Sequence, residues 1–267
     1  LTTDWLGGRF SVPPLEKILE GAFEAQQENF YYAKEMRYPK EGGYKSFIKK
    51  MASQTYIQTQ KEASLVDLIN KKIEFSDGSV AHYDKLISTL PLPELIRIIK
   101  DAPKSLLEAS NRLLCTSGQL TSVGFNNPEV AKQLWFYIYD EDIFPARAYS
   151  PSLKSPDNVP SGKSSLQFET YFSKYTPKRL SGGAFIEHVI EKGEKMGVFS
   201  SKDVEVADYR EVKYANVVFD FDRLKNRNMI HDYLNQHAVG YAGRFGEWAY
   251  LWSDQSLLSG KKAADNA

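Results

Sequence analysis

The chain has 267 residues, with 34 Lys+Arg against 34 Asp+Glu and a formal net charge of zero. This length can bury one large or two modest cores, and a balanced charge without long single-sign blocks excludes bulk electrostatic attraction to nucleic acid or to an acidic membrane. A single cysteine, Cys115, permits no internal disulfide and fits a reducing compartment.

No apolar run approaches the roughly 18 to 20 residues of a membrane span, and LTTDWLGGRF has neither the charge nor the apolar centre of a signal peptide. The expectation is a soluble, cytoplasmic protein with no membrane and no nucleic-acid partner. The start at Leu1 and the end in KKAADNA, within a helical pattern, lead us to expect further chain beyond this sequence.

In chain order, PLEKILEGAFEAQQ places Leu15, Ile18, Leu19 and Phe23 at helical spacing after a proline. RYPKEGGYKSFIKKMASQ gives a loop feeding a second short helix with Tyr44, Phe47, Ile48 and Met51. From Thr55 to Leu90 the period changes to two, with turns at Asn70-Lys71-Lys72 and Asp77-Gly78, which predicts a small meander returning to a buried strand over 85–90. PELIRIIKDAPKSLLEASNRLL reads as two helices divided at Pro103.

From Cys115 to about Phe172 the pattern is strand-like again, in SGQLTSVGFN, LWFYIYD, FPARAYS and SSLQFETYF, and short connections favour antiparallel pairing. A helix is expected over 178–196, a strand in VEVADYREVKYANVVF, a helix over 222–236 and a short strand in VGYAGRF. Ser253 or Asp254 is expected to cap the last helix. The fold class is α+β.

Several chemistries are excluded by spacing. His82, His188, His231 and His237 stand apart without a zinc pattern, so no metal is expected. No Gly-x-Ser-x-Gly elbow is present, and neither GxGxxG nor GxxxxGK[ST] occurs to cradle a nucleotide phosphate.

What remains is arginine and tyrosine beside strands. Alternation puts Trp135, Tyr137 and Tyr139 on one strand face, and a hairpin would bring Tyr137 to Arg147. In GRFGEWAYLWSDQ, Arg244 lies between Gly243 and Gly246, followed by Tyr250 and then by a helix start at Asp254 and Gln255. Guanidinium forks and phenols are the groups a diphosphate needs, and a helix N-terminus suits the partly negative edge of a reduced flavin. The bland alternative is an aromatic sheet face with a surface arginine and an aromatic plug closing a core.

GRFGEWAYLWSDQ resembles the closing motif of UDP-galactopyranose mutases, with Asp254 and Gln255 ten and eleven residues after Arg244. DWLGGRFSVPPLEKI, which contains Arg9, and WFYIYDEDIFPAR are similar to further mutase segments. FSDGSVAHYDKLISTLPL resembles the meander shared by the wider amine oxidase and protoporphyrinogen oxidase flavoproteins.

The resemblance implies part of a discontinuous FAD-binding α/β domain plus an antiparallel-sheet substrate domain with flanking helices. It divides the chain into residues 1–33, the tail of a helical subdomain; 34–90, an FAD-domain segment; 91–236, the substrate sheet; and 237–267, a closing FAD segment. The Rossmann GxGxxG segment would lie outside this sequence, leaving an incomplete FAD site and a fragment inactive by itself.

The activity implied is ring contraction of a nucleotide sugar through N5 of reduced FAD. Arg147 and Arg244 take catalytic roles on the diphosphate, with Trp135, Tyr137, Tyr214, Tyr250 and Arg9 binding substrate. Gly243, Arg244, Asp254 and Gln255 border the flavin. Two departures stand out: Ala249 replaces a commonly basic residue, and YANVV lacks the Pro-rich segment expected around Tyr214. A homodimer is among the assemblies allowed. The alternatives are an FAD-dependent oxidoreductase of the amine oxidase or protoporphyrinogen oxidase type, and a non-catalytic flavin-binding or interaction domain.

Overall fold

The computed structural model describes residues 1–6, 13–24 and 37–267. Two helices come first, α1 (Leu15–Phe23) and α2 (Ser46–Ser53), and neither buries a residue fully. The expected meander follows as β1 (Ala63–Asp67), β2 (Lys72–Phe75) and β3 (Val80–His82), paired antiparallel in that order. Its first turn is fastened by Asp67, whose carboxylate accepts from the Asn70 backbone at 2.9 Å and pairs with Lys100 at 3.0 Å. These bonds favour the ionised form and hold the Asp67 carboxyl well below its ordinary value.

Strand β4 (Leu86–Ser88) ends before Pro91, which opens α3 (Leu92–Ile98), and Pro103 opens α4 (Lys104–Arg112). Proline fits both positions because the first helical amides have no intrahelical acceptor.

The larger sheet contains β5 (Cys115–Phe125), β6 (Trp135–Tyr137), β7 (Arg147–Tyr149), β8 (Ser164–Phe172) and β9 (Val204–Val217). Their spatial order is β6-β7-β8-β5-β9, and every pairing is antiparallel. Alternation divides the sheet into two faces. Val123, Phe125, Ala148, Leu166 and Phe168 point to a buried side, where they pack with Phe185 and Val189 of α6 (Gly182–Lys195) and with Phe199. Burial of each large apolar side chain there contributes about 1.5–3 kcal/mol. The opposite face carries Trp135, Tyr137, Arg147, Tyr149, Gln167, Glu169 and Tyr171.

A second core joins β1, α3 and α4 to α7 (Arg223–Gln236) and β10 (Val239–Tyr241), around Leu92, Leu95, Ile96, Ile230, Leu234, Val239 and Trp248. Strand β10 pairs parallel with β4. The chain closes with a single turn, α8 (Gly243–Gly246), and with α9 (Ser253–Asp265).

Four boundaries differ from the sequence expectation. Helix α6 starts at Gly182 rather than Lys178, because the preceding segment is held outside it by Gln119, which donates to the Leu180 carbonyl at 2.8 Å. The strand expected in LWFYIYD pairs over only three residues before the chain turns back through 140–146. The strand expected in VGYAGRF stops at Tyr241, since Gly243, at φ +78°, redirects the backbone into α8. Ser253 and Asp254 lie inside α9, and the capping contact comes from Gln255, whose Oε1 accepts from Trp252 N at 2.9 Å.

Candidate active site

On the open sheet face, the β6–β7 hairpin sets Tyr137 directly opposite Arg147, and the β7–β8 register sets Arg147 opposite Glu169. Arg147 donates from Nε and Nη2 to one carboxylate oxygen of Glu169, at 3.0 and 2.5 Å, and Tyr171 donates to that same oxygen at 2.7 Å. Burial opposes the Arg147 charge, but Glu169 outweighs it and raises the guanidinium pKa above its ordinary value. Desolvation and the adjacent Glu169 push the Tyr171 hydroxyl up in the same way.

Tyr149, one step along the face, donates to Gln167, whose amide donates to Ser122 at 2.7 Å. Its phenol is pushed up to about 12 by burial and by Glu169. The face therefore carries two neighbouring hydrogen-bonded groups, Arg147–Glu169–Tyr171 around an ion pair and Tyr149–Gln167–Ser122 beside it.

The second cluster is the terminal turn. A side chain at Gly246 would crowd the Ser88 carbonyl at 3.2 Å, and Gly243 opens onto free space. Arg244 wraps back and donates from Nε and Nη2 to the Leu251 carbonyl at 2.9 and 2.7 Å, with its guanidinium 4.7 Å from the centre of the Tyr250 ring. It makes no ion pair among the described residues.

The remaining polar backbone of the turn is held from outside. Gly243 N donates to Ser259 Oγ at 2.9 Å, His231 Nε2 meets the Gly246 carbonyl at 3.1 Å, and Arg223 donates to the Trp248 carbonyl at 2.9 Å. Trp248 is fully buried with a left-handed φ of +49°, a conformation that a bulky residue keeps only where surrounding packing enforces it.

Of the residues singled out by sequence, Trp135, Tyr137 and Arg147 share the open sheet face, and Gly243, Arg244, Tyr250, Asp254 and Gln255 share the terminal segment. Tyr214 joins the terminal cluster. Its ring lies 5.6 Å from Phe245 and 6.3 Å from Trp248, and its hydroxyl donates to Glu94 at 2.5 Å. Arg9 lies outside the described residues.

Glu169, Tyr171, Tyr149 and Gln167 escaped the sequence reading, although the alternation in SSLQFETYF places Gln167, Glu169 and Tyr171 on one face. No group of three or more His, Cys, Asp or Glu suited to a metal occurs among the described residues, and no helix among them is long and apolar enough to cross a membrane.

Comparison with solved structures places this geometry in a known fold. Reduced UDP-galactopyranose mutase superposes with a TM-score of 0.85 at 23% identity, covering 99% of this chain. The chain has the fold of UDP-galactopyranose mutase. It spans 59% of the length of that mutase chain.

Two further structures share the architecture less closely. A protein assigned as a protoporphyrinogen oxidase from Exiguobacterium sp. 255-15 gives a TM-score of 0.61 at 11% identity, over 84% of this chain and 51% of its own. A CLA-producing fatty acid isomerase from P. acnes gives 0.62 at 13% identity, over 84% of this chain and 51% of its own. No family model matches the sequence.

Proposed function

We propose that this chain is the substrate-binding and flavin-closing part of an FAD-dependent nucleotide-sugar mutase. The observation that carries the reading is Arg244, a guanidinium without an ion-pair partner among the described residues, held beside the Tyr250 ring on a turn that opens to free space at Gly243. Two of its five N–H donors are used by the Leu251 carbonyl, which aims the group and leaves three donors for an anion. The likeness to the mutase fold supports the same reading.

The residues present suit the flavin end of FAD. The first turn of α9 offers a positive dipole end beside Asp254 and Gln255, and nothing fills the space at Gly243. No Gly-rich phosphate turn occurs among the described residues to hold the FAD pyrophosphate. Reduced FAD would supply the nucleophile for exchange at the sugar's anomeric carbon.

The chain's own residues hold the leaving group. Arg244 and Arg147 bind the diphosphate and offset the charge it gains on departure. Tyr137 and Tyr250 orient its oxygens, and Trp135 presents a flat apolar wall. The second reading, an oxidoreductase on the same scaffold, draws on the two more distant fold relatives and would leave both arginines without a phosphate to hold.

The test is Arg244→Lys in the full-length enzyme, assayed for turnover of a UDP-sugar under reducing conditions alongside thermal melting. Lysine keeps the charge and loses the planar fork. Loss of one or two charge-assisted bonds, each about 1.5–3 kcal/mol, lowers turnover by about tenfold or more. Unchanged turnover with a lower melting temperature retires the phosphate role and leaves the arginine as a brace for the turn.

A further inference from the structure

The five-stranded sheet has two unequal edges. Strand β6 pairs over three residues and offers little backbone, whereas β9 runs for 14 residues and, among the described residues, pairs with β5 alone. Between the two irregularities in the β5–β9 ladder, residues 206–212 run in unbroken register from Gly124↔Val206 to Gly118↔Val212. No backbone group of 206–212 bonds a described residue beyond that ladder. The outer side of β9 is therefore a row of unused amides and carbonyls. Sheet edges that stay single are commonly blunted by a proline or a bulge. The stretch VADYREV has no proline, and both irregularities lie outside it.

The side chains of this stretch are complementary to themselves about its midpoint, Tyr209. Reading outward from Tyr209, Asp208 answers Arg210, Ala207 answers Glu211 and Val206 answers Val212. Positions symmetric about one residue differ by an even number, so each matched pair stays on one face of the sheet. Asp208 and Arg210 lie on the open face, opposite Ser122 and Leu120 of β5, with side chains 55% and 74% exposed. Val206 is 61% exposed.

We propose that the outer edge of β9 is a homodimer interface, in which two copies of this chain pair antiparallel along 206–212 about a two-fold axis through Tyr209. Each Asp208 then meets Arg210 of the second copy. Together with the 2.9 Å pair inside each strand, this closes a ring of four alternating charges, flanked by Val206 against Val212. The register is specified by charge. A slip of two residues sets Asp208 against Asp208 or Arg210 against Arg210, and like charges directly opposite are destabilising. A slip of one turns matched side chains to opposite faces. The axis stands perpendicular to the sheet, so the assembly is one ten-stranded sheet with both open faces, Arg147 included, on the same side. The inference stands independently of the mutase reading.

The experiment is sedimentation equilibrium of the full-length protein and of Asp208→Arg, Arg210→Asp and the double exchange Asp208→Arg/Arg210→Asp, with melting curves to confirm that each is folded. Wild type should dimerise at micromolar concentration. Each single exchange should raise the dimer dissociation constant about tenfold or more, and the double exchange should bring it back to within about threefold of wild type. Wild type that stays monomeric at about 100 μM overturns the proposal, and so does a dimer indifferent to the single exchanges or not rescued by the double. Hydrogen exchange on wild type needs no variant to fold. Amides within 206–212 should exchange more slowly as protein concentration rises, and protection independent of concentration overturns the interface.

Discussion

The two arginines that stood out in the sequence are built in opposite ways. Arg147 lies on a five-stranded sheet and is neutralised by Glu169, within a network completed by Tyr171 and Tyr137. Arg244 lies on a one-turn helix, keeps its charge without an ion-pair partner among the described residues, and spends its fork on a backbone carbonyl. The first site is held by an ion pair across two strands; the second is held by side chains of the second core that bond its backbone. The lesson is that an arginine's availability to a ligand is decided by its acceptor, not by its exposure. A carboxylate competes with an incoming phosphate for charge, and a carbonyl does not.

The largest effect should come from breaking the clamp at Arg244. Trp248→Ala removes a fully buried indole from the second core and should cost about 3–5 kcal/mol by urea titration. It should release the terminal turn while the sheet keeps its pairing. A loss below about 1 kcal/mol would show that the turn is held by its hydrogen bonds alone.

A smaller effect tests the other arm. Glu169→Gln leaves Arg147 charged with a neutral acceptor. Because the Arg147 side chain is 37% exposed, solvent screening should hold the loss to about 1–2 kcal/mol. A Glu169→Gln, Arg147→Met double-mutant cycle isolates the pair term. The same change should strengthen pyrophosphate binding by removing the competing carboxylate, and weaker binding would refute the contrast drawn between the two sites.

How much of this was legible in sequence follows from distance along the chain. The Tyr137–Arg147 pairing was readable because the two residues lie only ten positions apart, within one hairpin. Glu169 was not, since its register with Arg147 depends on the long connection through PSLKSPDNVPSG, whose path no local pattern encodes. The terminal turn was recognisable from its glycines, and its helix start fell within a residue or two of the expected place. The braces from Arg223 and His231 were invisible, because a backbone carbonyl leaves no mark in sequence by which its donor could be found. Helix α6 was placed four residues too early because its lead-in is pinned by Gln119, a partner 61 residues away.

The smallest effect sharpens the comparison at the seam between the two cores. Cys115 opens β5, packs against the second core, and has its thiol pushed up from 9.0 to about 11 by burial. At pH 8 its thiolate fraction is about a hundredfold below that of an unperturbed cysteine, so alkylation by iodoacetamide should be slower than in urea by about that factor. Trp248→Ala should speed it and Glu169→Gln should not. Equal acceleration by both would mean that the seam does not separate the two regions.

Helix α7 carries a consequence that reaches past the turn it braces. Arg223 in its first turn and His231 in its third each hold one carbonyl of the 243–251 segment. Neither of these residues makes a hydrogen bond to Arg244 itself. An anion captured at Arg244 stabilises the clamped arrangement over every looser one, and the added free energy is shared by whatever must loosen with it. Amide protons along α7 therefore become slow clocks for occupancy of a site that the helix serves only from behind.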